Sequence, residues 1–382
     1  MKVAILIPTL NRPSFIQRTV LYYDSLKSPH PIYIGDASNT EISENTLSFL
    51  KKVKNVEVKY FHWEGLNASQ THFQLIKEIT AECEYCAYHG DDDYLVPSSL
   101  TKCAEFLSEN PNYKTAQGHA ALVVMDSPEP VGNIKWIDEY WGKNSLEESS
   151  RIERLLSFNN SYFVIEFSVH RVSEFIRDSR DFWTIIDSSI REILHCYTLA
   201  INGKSKFIDC LYLIRTRHPD LLISSSGYDF FELITREHWS HDYNKMVDSL
   251  SRILSDDKKL SFTEAKKIIS EMMKERFKKS FLAQMKINKK DDKQSFYVKS
   301  KNVIHGCLTH ILLDKIGLRP IREFFGTKNN MQLWTAKHSR FHSDFLPVEN
   351  SLTGKEIRND EKLIYKEQPH NHNDHANPPK RR

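Results

Sequence analysis

Tyr85-Cys86-Ala87-Tyr88-His89-Gly90-Asp91-Asp92-Asp93-Tyr94-Leu95 joins a short apolar run to three adjacent carboxylates. The run reads as a central strand, which puts the acids at its C-terminal end, where parallel sheets bind ligands. Three neighbouring like charges repel, and water screens them only in part, so a site that keeps them asks for a cation. In extended or turn geometry Asp91 and Asp93 project the same way and offer oxygen ligands to a hard divalent ion, Mg2+ or Mn2+. The same acids also read as a solvated turn in which Asp92 caps the next helix.

Outward from this stretch, β-rich runs alternate with segments of helical period, the pattern of parallel strands joined by crossover helices. Strands are expected at 3–9, 32–36, 56–62, 85–89 and 115–125. Helices are expected from Pro13, over 42–53, from the Asn67/Gln70 capping pair, and from Pro97. Residues 126–160 break both periods and carry Trp136, Tyr140 and Trp141, which reads as an ordered loop or lid and a candidate acceptor site. A strand over 162–169, helical patterns to Leu199 and a strand over 207–214 follow. The expected organisation is an α/β domain over 1–220, a helical region over 226–345 and a polar tail over 351–382.

The chain has 382 residues, 40% apolar and 27% charged, enough for a substantial core. A formal charge of +3 is too near balance for a nucleic-acid-collecting polycation. Six cysteines are too few for a disulfide framework, and Cys83-x-x-Cys86 lies in a strand pattern with no second pair, so core cysteines are expected rather than a zinc site. No apolar run spans a bilayer and no cleavage site follows the opening run, which gives a cytoplasmic expectation. Ser261 and Glu264 open a helix whose lysines either face water or meet an anionic membrane surface.

Three spaced motifs carry a family likeness: Ile7-Pro8-Thr9-Leu10-Asn11-Arg12-Pro13, Gly35-Asp36-Ala37-Ser38, and Gly90-Asp91-Asp92-Asp93-Tyr94-Leu95. In this order the chain resembles the GT-A-fold nucleotide-sugar glycosyltransferases of the family 2 type over about residues 1–220. The resemblance implies a Rossmann-like, mainly parallel sheet flanked by helices, followed here by the helical C-terminal region. It implies transfer of a sugar from a nucleoside diphosphate, with a UDP-sugar expected, to a glycan or lipid-linked acceptor in polysaccharide biosynthesis. By that likeness Thr9, Asn11, Arg12, Asp36, Asp91, Asp92 and Arg217 bind the nucleotide sugar, and Asp91, Asp93 and His218 hold the metal. Asp187 becomes the base of an inverting reaction, with Ile186 where the family usually has Glu; it also reads as an N-cap. Arg215 reads as a solvated strand-end charge.

Two other functions compete. A sugar-nucleotide-forming nucleotidyltransferase needs a Gly-rich first loop, which Pro8-Thr9-Leu10-Asn11-Arg12 is not. A non-catalytic nucleotide-sugar or glycan-binding protein would not need the acids at 91–93.

Overall fold

The first strand, β1 (Val3–Thr9), is buried at all seven positions, and the continuous apolar run is what a strand covered on both faces requires. A computed structural model describes residues 1–141, 143–219, 230–282, 285 and 334–355. After β1 come α1 (Pro13–Ser25), β2 (Ile32–Asp36), α2 (Thr40–Leu50), β3 (Val58–His62), α3 (Ala68–Lys77) and β4 (Tyr85–Tyr88). Pro13 opens α1 where its missing N–H costs nothing. Asn39 caps α2 by accepting from the Ile42 N–H at 3.0 Å. Before α3, Asn67 and Gln70 exchange side-chain to backbone hydrogen bonds, each of 3.0 Å.

The chain continues through β5 (Tyr94–Leu95), α4 (Pro97–Glu109), β6 (Tyr113–Met125), β7 (Ile134–Trp141) and α5 (Arg151–Asn160). A 3₁₀ turn at Ile165–Phe167 precedes β8 (Val169–Arg171), α6 (Val172–Asp178), a second 3₁₀ turn (Arg180–Thr184), α7 (Ser188–Asn202) and β9 (Lys204–Arg217). Helices α8 (Phe230–Thr235), α9 (Trp239–Ser255), α10 (262–282) and α11 (His342–Thr353) follow.

One nine-stranded mixed sheet results, in the order β3-β2-β1-β4-β8-β6-β9-β5, with β7 paired to β6. Pairing is parallel through β3-β2-β1-β4 and between β6 and β9, and antiparallel elsewhere. The chain runs outward from β1 to β2 and β3, then returns to add β4 on the other side of β1. That reversal opens a crevice at the carboxyl ends of β1 and β4, where α/β sheets take their ligands.

Three sequence expectations change. Residues 126–160 are not a loop: β7 extends the sheet, and α5 starts at a capping box formed by Ser150 and Glu153. The strand expected over 162–169 is a 3₁₀ turn followed by the short β8. The polar tail does not begin at 351, because α11 runs to Thr353 and packs on the α/β core. There Tyr94 Oη lies 3.0 Å from Ser351 Oγ, and the Gly132 N–H donates to the Leu352 carbonyl at 3.0 Å. His370, His372 and His375 lie outside the described residues.

In α10, Ala265, Ile269 and Met273 are fully buried while Lys266, Lys267, Lys274, Lys278 and Lys279 are exposed, so its apolar face is covered by protein. Among the described residues no helix is long and apolar enough to cross a membrane.

Candidate active site

Parallel register sets Thr9, the last residue of β1, beside Asp36, the last of β2. Across β1, the Thr9 hydroxyl donates to Asp91 Oδ2 at 2.8 Å, so residues that close three neighbouring strands meet at the crevice. Arg12, just before α1, pairs with Asp91 Oδ1 and reaches Asp92 Oδ2 at 3.2 Å through both terminal nitrogens. Its guanidinium stacks 3.8 Å from the Phe15 ring centre, which fixes its direction. Asn11 holds a left-handed φ of 55°, which Asn tolerates, and its N–H donates to Ser38 Oγ at 2.7 Å. That bond ties the loop after β1 to the loop after β2.

Asp36 is buried with both oxygens engaged. Oδ1 accepts from the Ser38 N–H at 2.8 Å, and Oδ2 accepts from the Tyr60 hydroxyl at 2.8 Å. Asp93 is also buried: Oδ1 accepts from the Thr216 N–H at 2.8 Å, and Arg215 Nε stands 2.7 Å from Oδ2. That contact is an ion pair without hydrogen-bond alignment, so Asp93 Oδ2 and Arg215 Nε make no hydrogen bond. Burial pushes the Asp91 carboxyl up to about 6 against the pull of Arg12, and the Asp93 carboxyl up to about 7 against that of Arg215.

The divalent cation expected from the sequence meets a donor set that does not fit it as arranged. A hard cation needs several oxygens at about 2.0–2.6 Å, but both oxygens of Asp91 and one of Asp93 accept hydrogen bonds, while the other faces Arg215. His218 does not join the acids. Its Nδ1 lies 3.0 Å from the Ser127 carbonyl and its Nε2 3.5 Å from Arg18 Nη1, and burial and Arg18 press its pKa down to about 4. Among the described residues no group of three or more His, Cys, Asp or Glu is placed to hold a metal ion.

Three contributors escaped the sequence reading. Arg18 is buried on α1 and donates to the Asp92 carbonyl at 2.6 Å and to the Pro130 carbonyl. Thr216 donates its hydroxyl to the Asp92 carbonyl at 2.7 Å. Arg215, read from sequence as solvated, is the guanidinium that reaches Asp93, with aromatic faces of Phe167 and Tyr140 4.7 and 5.3 Å from it. The available signal was period two: Arg215 and Arg217 share one face of β9, so either was placed to meet the acids.

Asp187 caps α7, its Oδ1 accepting from the N–H groups of Ser189 at 2.8 Å and Ile190 at 3.1 Å. Its Oδ2 pairs with Arg236, from the turn between α8 and α9. Burial opposes ionisation there, yet these bonds hold the carboxyl below the usual carboxylate range. The buried Asp242 of α9 accepts from the N–H groups of Asp187 at 2.7 Å and Ile186 at 3.2 Å, which secures the backbone. Beside Asp187 opens a cavity of about 400 Å³ whose walls include Asn67, Arg191, Arg236 and His238.

No family model matches the chain, and no curated protein matches it. Among solved structures it is similar to residues 1–349 of S. aureus TarS in complex with UDP-GlcNAc, at 14% identity over 72% of each chain and a TM-score of 0.48. It is also similar to the mannosyltransferase PcManGT from Pyrobaculum calidifontis in complex with GDP-Man and Mn2+, at 9% identity over 81% of this chain and 87% of that one, with a TM-score of 0.40. A third likeness, to a 4-diphosphocytidyl-2C-methyl-D-erythritol synthase from Anaerococcus prevotii, has 8% identity, covers 54% of this chain and 86% of that one, and has a TM-score of 0.32. All three TM-scores fall below 0.5, a likeness too distant to carry a function from one chain to another.

Proposed function

We propose that this protein is a glycosyltransferase that moves a sugar from a nucleoside diphosphate to an acceptor hydroxyl. One observation carries the reading: Thr9 and Arg12 meet Asp91 and Asp92 at the switch point between β1 and β4, one strand from Asp36. A nucleotide laid across these strand ends finds carboxylates suited to N–H and hydroxyl donors and guanidiniums suited to diphosphate oxygens.

In this reading Asp36 accepts from the base or ribose, and Thr9, Asn11 and Asp91 line the nucleotide. Arg12 and Arg215, with Arg217 along the same strand face, stabilise charge that develops on the departing diphosphate. Asp187 takes the acceptor's proton while the acceptor oxygen attacks the anomeric carbon from the side opposite the diphosphate, and that geometry inverts the centre. No step is assigned to a divalent cation.

Calorimetry with UDP, GDP and CDP on the whole chain, with and without Mn2+, tests the reading. At least one nucleotide should bind, with affinity reduced at least tenfold by Asp36→Ala, and the matching nucleotide sugar should release its diphosphate in the presence of an acceptor. Failure of all three nucleotides to bind would overturn the assignment.

A further inference from the structure

The cavity beside Asp187 holds an imbalance of charge. Arg191 is 7% exposed, and its guanidinium donates only to two backbone carbonyls, of Ile185 from Nε at 3.2 Å and of Ile186 from Nη2 at 2.6 Å. Nη1 has no hydrogen-bond partner, and Arg191 takes part in no ion pair among the described residues. Asp187, Glu166 and Asp242 act on it from beyond ion-pair distance and offset its burial only in part, so a ligand that paired directly with Nη1 would relieve a real cost. Arg236 lines the same cavity, sharing its charge between Asp187 and the exposed Glu232, 3.1 Å from Nη2. His238 stands on the same wall, and the fifteen-residue α7 turns its positive end toward it.

We propose that this cavity binds an anionic group, phosphate ester or carboxylate, carried by the acceptor; the proposal rests on the glycosyltransferase reading and narrows its acceptor class. The anion supplies the direct ionic partner that Arg191 lacks and competes with Asp187 for Arg236, since guanidinium forks pair bidentately with either group. Withdrawal of Arg236 frees Asp187 Oδ2 at the moment an acceptor is seated. The acceptor hydroxyl then gives its proton to Asp187, its oxygen forms the new bond to the anomeric carbon, and the old bond breaks with its electron pair leaving on the diphosphate. A neutral acceptor leaves the Arg236–Asp187 pair closed, so the cavity selects by charge.

The test is calorimetry on the full chain, saturated with whichever of UDP, GDP and CDP it binds so that the nucleotide crevice is occupied, using glycerol 3-phosphate, methyl glucuronide and glycerol as probes. Glycerol 3-phosphate or methyl glucuronide should bind at least tenfold more tightly than glycerol, and the better of the two identifies the anion. Arg191→Gln and Arg236→Gln should each weaken that probe about tenfold and leave nucleotide binding unchanged. If Arg191→Gln does not fold, Arg236→Gln and the salt dependence of the unsubstituted chain decide. Equal binding of all three probes, or no effect of Arg236→Gln, overturns the proposal. Failure of UDP, GDP and CDP alike to bind the unsubstituted chain would instead overturn the glycosyltransferase reading, and the probes are then titrated without nucleotide.

Discussion

Asp187 does two things with one carboxylate, and its two oxygens separate them. Oδ1 satisfies two N–H groups at the start of α7, and Oδ2 faces the cavity through Arg236. Asn caps a helix about as well as Asp, yet it cannot take a proton. Asp187→Asn should therefore keep the melting temperature nearly unchanged while kcat falls by about 10²–10⁴. Steady-state kinetics at saturating donor, set beside a thermal melt, checks this, and an unchanged kcat would move the base elsewhere. Capping was legible in Asp187-Ser188-Ser189-Ile190, because it is local. Arg236 was not, since it lies 49 residues away and only the turn between α8 and α9 brings it there.

Elements in the second half of the sheet depend on backbone contacts that side-chain patterns do not report. β6 and β9 run parallel with register shifts around Gly118, where a Cβ would stand 2.3 Å from the Cys210 carbonyl oxygen and 2.8 Å from its sulfur. Gly118→Ala should thus force the two strands apart and cost about 3 kcal/mol or more, a figure in the range of severe overpacking. Urea unfolding would show it as a lower midpoint, and an unaltered midpoint would mean that the strands can part freely. The same region explains the missed β7. Its burial alternates only loosely, intermediate and exposed residues standing among two buried ones, because it lies off the main path of the sheet and pairs with β6 alone. With Pro128, Pro130, Gly132 and Gly142 around it, the sequence signalled breaks more strongly than a strand.

Across the whole molecule, the C-terminal helix belongs to the core that carries the site. Phe345 of α11 is fully buried, and Ser98 reaches Asp344 at 3.2 Å. Phe345→Ala should cost about 3–5 kcal/mol, and unfolding followed at the α/β core should move with it. A second prediction concerns acid. Burial first of all lowers His30, His72, His89 and His218 to about 4 and His170 to about 3. Unfolded imidazoles take protons near 6.5, so between about 6.5 and 4 the unfolded chain binds more of them; their stabilisation is complete above that window and lost as pH falls through it. Asp91, Asp93, Asp178 and Glu192, pushed upward, act in the opposite sense, but they are four against five. The melting temperature should fall by several degrees between pH 7 and 5, and a flat or rising profile would contradict the buried neutral histidines. By itself the sequence determined the first four strands, their helices and the strand-end acids, because periodicity, caps and breaks act over a few residues. Only the tertiary structure decided that Arg215 meets Asp93, that α11 closes the core and that Arg191 lines a cavity with no carboxylate at ion-pair distance. Those contacts join residues more than 100 and up to 257 positions apart, and no local pattern encodes which distant group a folded sheet will bring near.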